Sequence, residues 1–216
     1  MSPDVSQTNW VVPTEEPTIE PVRLRRATIE DAPALALVGG ATFLEAFTWM
    51  LPGADIIAHC ARNHTAEAYR SALAEPHTRI TLTETAASSA PVGYAMLCEP
   101  DLPSFDLQPG DIELKRIYLL SRFRSRRTAP VLDQAGQPIP GLSAGQALMN
   151  AAIADAQSMG CRRLLLGTNA DNQRAIGFYR RNNFADAGQR TFQVGSQRCC
   201  DLIMARPLRS QLSTVL

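Results

Sequence analysis

The stretch that most constrains the fold runs from residue 111 to residue 166. Its first part, DIELKRIYLL at residues 111–120, alternates β-branched and aromatic residues at period two and is the strongest strand signal in the chain. After a long loop, Ser143 to Met159 is rich in Ala and Leu and ends at Gly160, a suitable C-cap. Arg162 to Leu166 then reads as a buried strand. Strand, helix, strand in this order makes the two strands parallel neighbours.

The flanks predict a different pairing. Val22 to Arg26 alternates apolar and basic residues as a half-exposed strand. Thr28 and Asp31 supply a capping pair for a helix from Ile29 to about Phe47. Pro52-Gly53 ends it, and Ala54–Arg62 and Thr65–Ala74 read as two shorter helices. Thr78–Glu84 and Val92–Cys98 form a hairpin pattern, as do Phe184–Val194 and Arg198–Ala205 with a turn at Gly195-Ser196. Asn172–Arg181 lies between as a helix. The expected fold is mixed α/β: a mostly antiparallel twisted sheet with one central parallel pair, flanked by helices. Where such a pair splays, a ligand can enter between the strands near a helix N-terminus.

Domain organisation follows. Residues 1–21 carry several prolines and read as a flexible arm in which Trp10, Val11 and Val12 could dock; residues 22–208 form one domain; residues 209–216 are a tail. Residues 121–140 are an inserted basic loop with three prolines. The arm has no basic start and no apolar run, so it is not a signal peptide, and nothing in the chain approaches membrane-spanning length. Lys plus Arg and Asp plus Glu are both 21, which argues against a nucleic-acid or acidic-membrane partner. Lys115 is the only lysine among those cations, an Arg preference that fits a GC-rich bacterial genome. Five cysteines without C-x-x-C spacing exclude a disulfide framework and a zinc site, and suggest a reducing, cytoplasmic setting. His59, His64 and His77 have no companions at metal-ligand spacing and read as surface or satisfied residues, with no metal expected. Cys199-Cys200 reads as core.

The loop PGLSAGQALM is the first chemical signal. Gly141 and Gly145 allow tight turning and close approach, and the amides of Ser143, Ala144, Gly145 and Gln146 precede a helix whose dipole is positive at that end. Such a loop seats a phosphate or simply starts a helix. The Arg cluster at 122, 124, 126 and 127 adds planar phosphate-binding forks, or a solvated basic surface.

The second signal is NADNQRAIGFYRRNNF, residues 169–184. Asn172, Ala175, Phe178, Tyr179 and Phe184 resemble the N-x-x-A-x-x-F-Y-x-x-x-G-F signature of the GNAT acetyltransferases, with Asn183 in the usual Gly place. IELKRIYLL resembles that family's central strand, GLSAGQALM its acyl-CoA loop and DLIMARPL its last strand, in the family's order over about residues 22–208. Two departures stand out: Ser125–Pro140 is inserted before the loop, and Ser143 occupies a Gly position.

The resemblance implies direct acetyl transfer from acetyl-CoA, as co-substrate, to a primary amine of a small molecule or peptide, with a homodimer possible. It implies that the backbone of Ile117, Tyr118 and Leu119 pairs with the pantetheine arm. Arg124, Gly141, Ser143, Ala144, Gly145 and Gln146 would hold the pyrophosphate, with Asn172, Ala175 and Phe178 flanking the arm. Tyr179 would be the acid for the leaving thiolate and Glu113 the base for the amine, or these would be a core tyrosine and a surface strand residue. The helices from Phe43 to Ala74 would wall the acceptor pocket with Phe43, Phe47, Trp49 and Met50, and Glu45 could attract an amine or face water. A non-catalytic acyl-CoA-binding module and an ATP-binding module are the rival readings; the second lacks a Walker lysine.

Overall fold

The computed structural model describes residues 20–103, 105–125, 129–194 and 197–208, with the backbone alone for 192–194 and 197–199. Trp10, Val11 and Val12, Arg126 and Arg127, the turn at Gly195-Ser196 and the 209–216 tail lie outside the described residues.

The sheet is built from β1 (Val22–Arg26), β2 (Arg79–Thr85), β3 (Pro91–Cys98), β4 (Asp111–Leu119), β5 (Arg163–Asn169), β6 (Ala185–Val194) and β7 (Gln197–Pro207). Their order is β1-β2-β3-β4-β5-β7-β6, and β4–β5 is the parallel pair. The other neighbours run antiparallel. Five helices complete the fold: α1 (Ala32–Phe47), α2 (Gly53–Asn63), α3 (Ala66–Ala74), α4 (Ala144–Ser158) and α5 (Gln173–Arg181).

Local chemistry sets the helix ends. The Asp31 carboxylate accepts from the Thr28 amide at 2.8 Å, and a single 3-10 turn at Ile29–Asp31 precedes α1. Thr65, Ser143 and Asn172 each cap a helix by accepting an amide with the side chain. Gly160 closes α4 at φ +74°, and Asn183 follows α5 at φ +62°, the left-handed region that asparagine tolerates.

The sheet has a core on each face. On one, α4 and α5 bury Leu148, Met149 and Ile176 against Leu97, Ile112, Leu114, Leu164 and Leu166. On the other, α1 and α3 bury Leu35, Val38 and Tyr69 against Ile80, Leu82, Tyr94 and Met96. The inserted loop belongs partly to the sheet edge. Val22 donates to Pro130 O and accepts from the Leu132 amide, both at 2.9 Å, so residues 130–132 cover the outer edge of β1. Ala129 and Val131 also pack with Phe123, Ala144 and Ala147, which fixes the start of α4.

Two features position the site. The parallel pairing of β4 with β5 spans only Asp111, Ile112 and Glu113 opposite Arg163, Leu164 and Leu165. Beyond that, β5 continues against β7 and β4 continues against β3, so the facing edges part. The second feature is a bulge. Met96 lies opposite Arg116 but Leu97 opposite Leu114, leaving Lys115 as an extra residue in β4. The period-two pattern expected of this strand is therefore interrupted at Lys115. The bulge brings Glu113 onto the same face as Arg116 and Tyr118.

Gly93 holds this arrangement together, because a Cβ there would lie 2.6 Å from Leu119 Cδ1 and 2.7 Å from the Tyr118 carbonyl oxygen. Gly40, in α1, has open space around the same position. Gly93→Ala should lower unfolding stability by about 1–3 kcal/mol, whereas Gly40→Ala should raise it by about 0.5–1 kcal/mol. Urea denaturation of the two variants checks both signs; equal effects would contradict the packing described.

Candidate active site

The site lies where β4 and β5 separate. From Leu114 to Leu119 the β5-facing side of β4 has no strand partner. Residues of this half of β4 pack with three elements: Leu119 with Ala144 at the start of α4, Ile117 in the core that includes Tyr179 of α5, and Tyr118 in the core that includes Tyr69 of α3.

At the start of α4, the first helical bond runs from the Ala147 amide to Ser143 O at 2.8 Å. The Ala144 and Gly145 amides find no acceptor among the described residues. Gln146 differs from expectation, because its amide is taken by Ser143 Oγ at 3.3 Å and its side chain bonds Asn150 and Asn182. Gly141 has φ +75°, and a Cβ on Gly141 or Gly145 would meet nothing within 4 Å. A concave, amide-lined seat with space above it suits an anion at a helix N-terminus.

Arg124 and Glu45 are not placed as the sequence suggests. Arg124 donates to the Leu119 carbonyl at 2.9 Å and pairs with Glu45 at 3.1 Å. Glu45 also accepts from the Ser121 amide and hydroxyl. It therefore neither faces water alone nor waits for an amine; it ties α1 to the end of β4. Arg122 faces Glu20 at 3.8 Å and lies over the Phe123 ring.

From α5, Tyr179 reaches the gap. Its ring packs edge-on against Phe184 and near Phe178. Burial, and secondarily the neighbouring Tyr118 phenol, raise its pKa, so the hydroxyl keeps its proton at neutral pH. No hydrogen bond of that hydroxyl is recorded among the described residues. Asn172, exposed at the cap, and Ala175, half-buried, occupy the first turn of the same helix. Ile117 and Tyr118 are half-buried and Leu119 buried on β4.

Glu113 is 2% exposed, and Oε2 accepts the Asp101 amide at 2.8 Å with Lys115 Nζ at 3.4 Å. Both recorded bonds use one oxygen, which leaves Oε1 for a further partner.

The α1–α3 side holds a group of residues that the sequence reading missed. His64 Nδ1 lies 2.9 Å from the Tyr69 hydroxyl, which donates to the Tyr94 hydroxyl at 2.8 Å. With the Tyr69 proton directed to Tyr94, Nδ1 of His64 is the donor and Nε2 carries the lone pair. That Nε2 is buried without a partner among the described residues. Burial, then Arg116 and His59, push the His64 pKa down to about 3, so the ring is neutral. His59 stacks on Phe43 at 4.0 Å between ring centroids. Gly39 makes room for the relay, since a Cβ would meet Tyr69 Oη at 2.3 Å and His64 Nδ1 at 2.5 Å. Burial also raises the Tyr118 pKa to about 12. Near the gap, Asp201 is held by Arg190 at 3.0 Å, and burial raises its pKa. Two expectations fail here. His64 is an unsatisfied buried histidine, and Trp49 is 72% exposed rather than in the pocket wall. Cys200 is likewise exposed rather than core, and the Cys199 side chain lies outside the described residues.

Comparisons with known proteins match this geometry. The acetyltransferase (GNAT) family model matches residues 140–184, the span from the α4 loop through α5. An uncharacterized N-acetyltransferase of Mycobacterium tuberculosis is 30% identical over 178 residues, covering 82% of this chain and 98% of that protein. The chain belongs to the GNAT acetyltransferase family. It is an acyl-CoA-dependent acetyltransferase. An uncharacterized N-acetyltransferase of Mycobacterium bovis matches with the same figures. Among solved structures, the PaiA N-acetyltransferase of Thermoplasma acidophilum in complex with coenzyme A shares the fold at TM-score 0.62 and 17% identity, over 86% of this chain and 98% of that one. The putative acetyltransferase YncA of Salmonella typhimurium, solved with acetyl-CoA, does so at TM-score 0.55 and 17% identity, over 89% and 96%.

The neutral His64 makes stability depend on pH. Its folded pKa of about 3 lies below an unfolded value of about 6.5, so the unfolded chain binds the proton first as pH falls. Stability should therefore drop by about 2 kcal/mol from this residue between pH 6.5 and pH 5, at ~1.4 kcal/mol per unit. Unfolding curves of wild type and His64→Gln across that range test this; the variant should show the flatter slope, and parallel slopes would contradict a buried neutral ring.

Proposed function

We propose that this GNAT enzyme transfers an acetyl group from acetyl-CoA directly to a primary amine. The observation that carries the reading is the unpaired half of β4, which leaves Ile117–Leu119 without a strand partner on the β5 side, where Ile117 packs in one core with Tyr179 and Leu119 in another with Ala144. Unpaired strand edges recognise extended, amide-bearing ligands by adding their hydrogen bonds. The relatives solved with coenzyme A and with acetyl-CoA support the same choice of co-substrate.

Ala144 and Gly145 would bind the pyrophosphate with their amides, helped by the dipole of α4. Ser143 holds that turn by capping, and Gly141 shapes it. The β4 backbone would take the pantetheine arm, flanked by α5 residues Asn172, Ala175 and Phe178. Bound acetyl-CoA supplies an activated thioester carbonyl. The amine must be neutral to attack it. Glu113, anchored through Oε2, takes the amine proton at Oε1, directly or through a water. Tyr179, kept protonated by its buried setting, donates to the departing thiolate.

Acetyl-CoA at ~100 times its dissociation constant should stabilise the protein by about 2.7 kcal/mol, with ATP giving no such shift. Tyr179→Phe should lower kcat by about 10²-fold while leaving that stabilisation intact. Glu113→Gln should lower kcat by about 10²-fold and change the shape of the kcat/KM pH profile. Unchanged turnover in Tyr179→Phe would end its role as the acid, and an unchanged profile in Glu113→Gln would end the base assignment. No stabilisation by acetyl-CoA would overturn the function itself.

A further inference from the structure

Arg116 projects from β4 onto the α1–α3 face, beside the gap. Its guanidinium lies 5.7 Å over the Tyr69 ring centroid, with Nη1 3.7 Å from Met96 Sδ. Its charge works against burial, the larger effect, which raises the Tyr69 pKa. Among the described residues no carboxylate lies within ion-pair distance of it. Three acids near the gap are engaged elsewhere: Glu113 with Lys115 and the Asp101 amide, Asp201 with Arg190, and Glu45 with Arg124. Arg79, another half-buried arginine without an acid, is held by the carbonyls of Pro76 and Thr78; Arg116 has no such acceptor recorded. A ring face and a thioether hold a guanidinium in place but leave most of its donors unused.

Burial is the larger influence on His59, His64, Tyr69, Tyr94, Tyr118 and Cys98, and the Arg116 charge reaches all of them as well. A substrate carrying a second ammonium would meet repulsion here. A substrate carrying a carboxylate would complete a planar, two-bond pair. The buried Nε2 of His64 adds a second unmet requirement, for an N–H or O–H donor. Phe43, stacked on His59, adds an apolar wall.

We propose that the acetyl acceptor is a primary amine that also carries a carboxylate, as an amino acid does, with Arg116 binding the carboxylate and His64 Nε2 accepting a polar hydrogen of the acceptor. This rests on the acetyl-transfer reading above.

The test uses matched sets: the common amino acids and short ω-amino acids, their carboxamides, and the corresponding amines without the carboxyl group. Release of CoA from acetyl-CoA is followed with the full-length protein. For the acceptor that works, kcat/KM should be at least about 100-fold higher with the carboxylate than with the amide or the bare amine. Arg116→Gln should erase that gap mainly through the acceptor KM, while keeping stabilisation by acetyl-CoA. Arg116→Lys, which retains charge but not the fork, should recover part of it. As a readout without turnover, the same amino acid should raise the unfolding temperature of the CoA-loaded wild type and not that of CoA-loaded Arg116→Gln. Equal use of amides or bare amines overturns the proposal. So does discrimination that survives in Arg116→Gln, or no turnover of any carboxylated amine by a protein that acetyl-CoA stabilises. If acetyl-CoA fails to stabilise the wild type, the transferase reading itself falls and this inference falls with it.

Discussion

The structure depends on a parallel pairing that stops early. β4 and β5 hold each other only from Asp111 to Glu113 and from Arg163 to Leu165. Both strands are well supported from outside, β4 by β3 and β5 by β7, so the sheet survives the separation. The bulge at Lys115 falls where pairing ends, and bulges increase local twist and bend a strand. The same device turns Glu113, Arg116 and Tyr118 to one face. A core carries no polar backbone edge without reason, because an unpaired N–H or C=O in a buried place costs free energy comparable to a lost hydrogen bond. The gap therefore leaves an unpaired strand edge in the middle of the sheet, the edge to which the proposed function assigns the acyl donor.

The faces on either side of that edge do different work. On the α4–α5 side, small and branched residues pack tightly, and polar groups appear chiefly at helix ends. On the α1–α3 side, a buried relay from His64 through Tyr69 to Tyr94 runs beneath the half-buried Arg116. Gly39 allows the relay to sit against α1. Burial and the Arg116 charge keep His64 neutral, so the relay is a fixed set of dipoles rather than a second base. The proposals accordingly leave proton removal to Glu113, and recognition to the Arg116 guanidinium and the His64 lone pair.

Much of the fold was legible because its signals are local. The order of strands and helices followed from periodicity, and Thr65, Ser143 and Asn172 announced their helices by cap chemistry. Asn183 could replace glycine because it needed only a left-handed backbone, φ +62°. What stayed hidden depends on partners distant in sequence. IELKRIYL breaks its apolar alternation at Lys115-Arg116, but only its pairing with Met96 and Leu97 shows that the break is a bulge with Lys115 as the extra residue. Glu45 and Arg124 each looked available for a ligand until Ser121 and the end of β4 brought them together. His64 looked unremarkable because the residues that bury it, Tyr69 and Tyr94, come from another helix and a strand. Arg116 stood out only once Glu113, Asp201 and Glu45 were seen to have other partners. The insertion gave no hint of sheet structure in its composition, yet residues 130–132 close the edge of β1.

The most direct test of the account is amide hydrogen exchange with and without acetyl-CoA. The account predicts added protection in the second half of β4, around Ile117–Leu119, and at Ala144 and Gly145, with β1 and β2 unchanged. Protection confined to other surfaces, with those amides exchanging as before, would contradict the claim that the gap between β4 and β5 is the seat of the acyl donor.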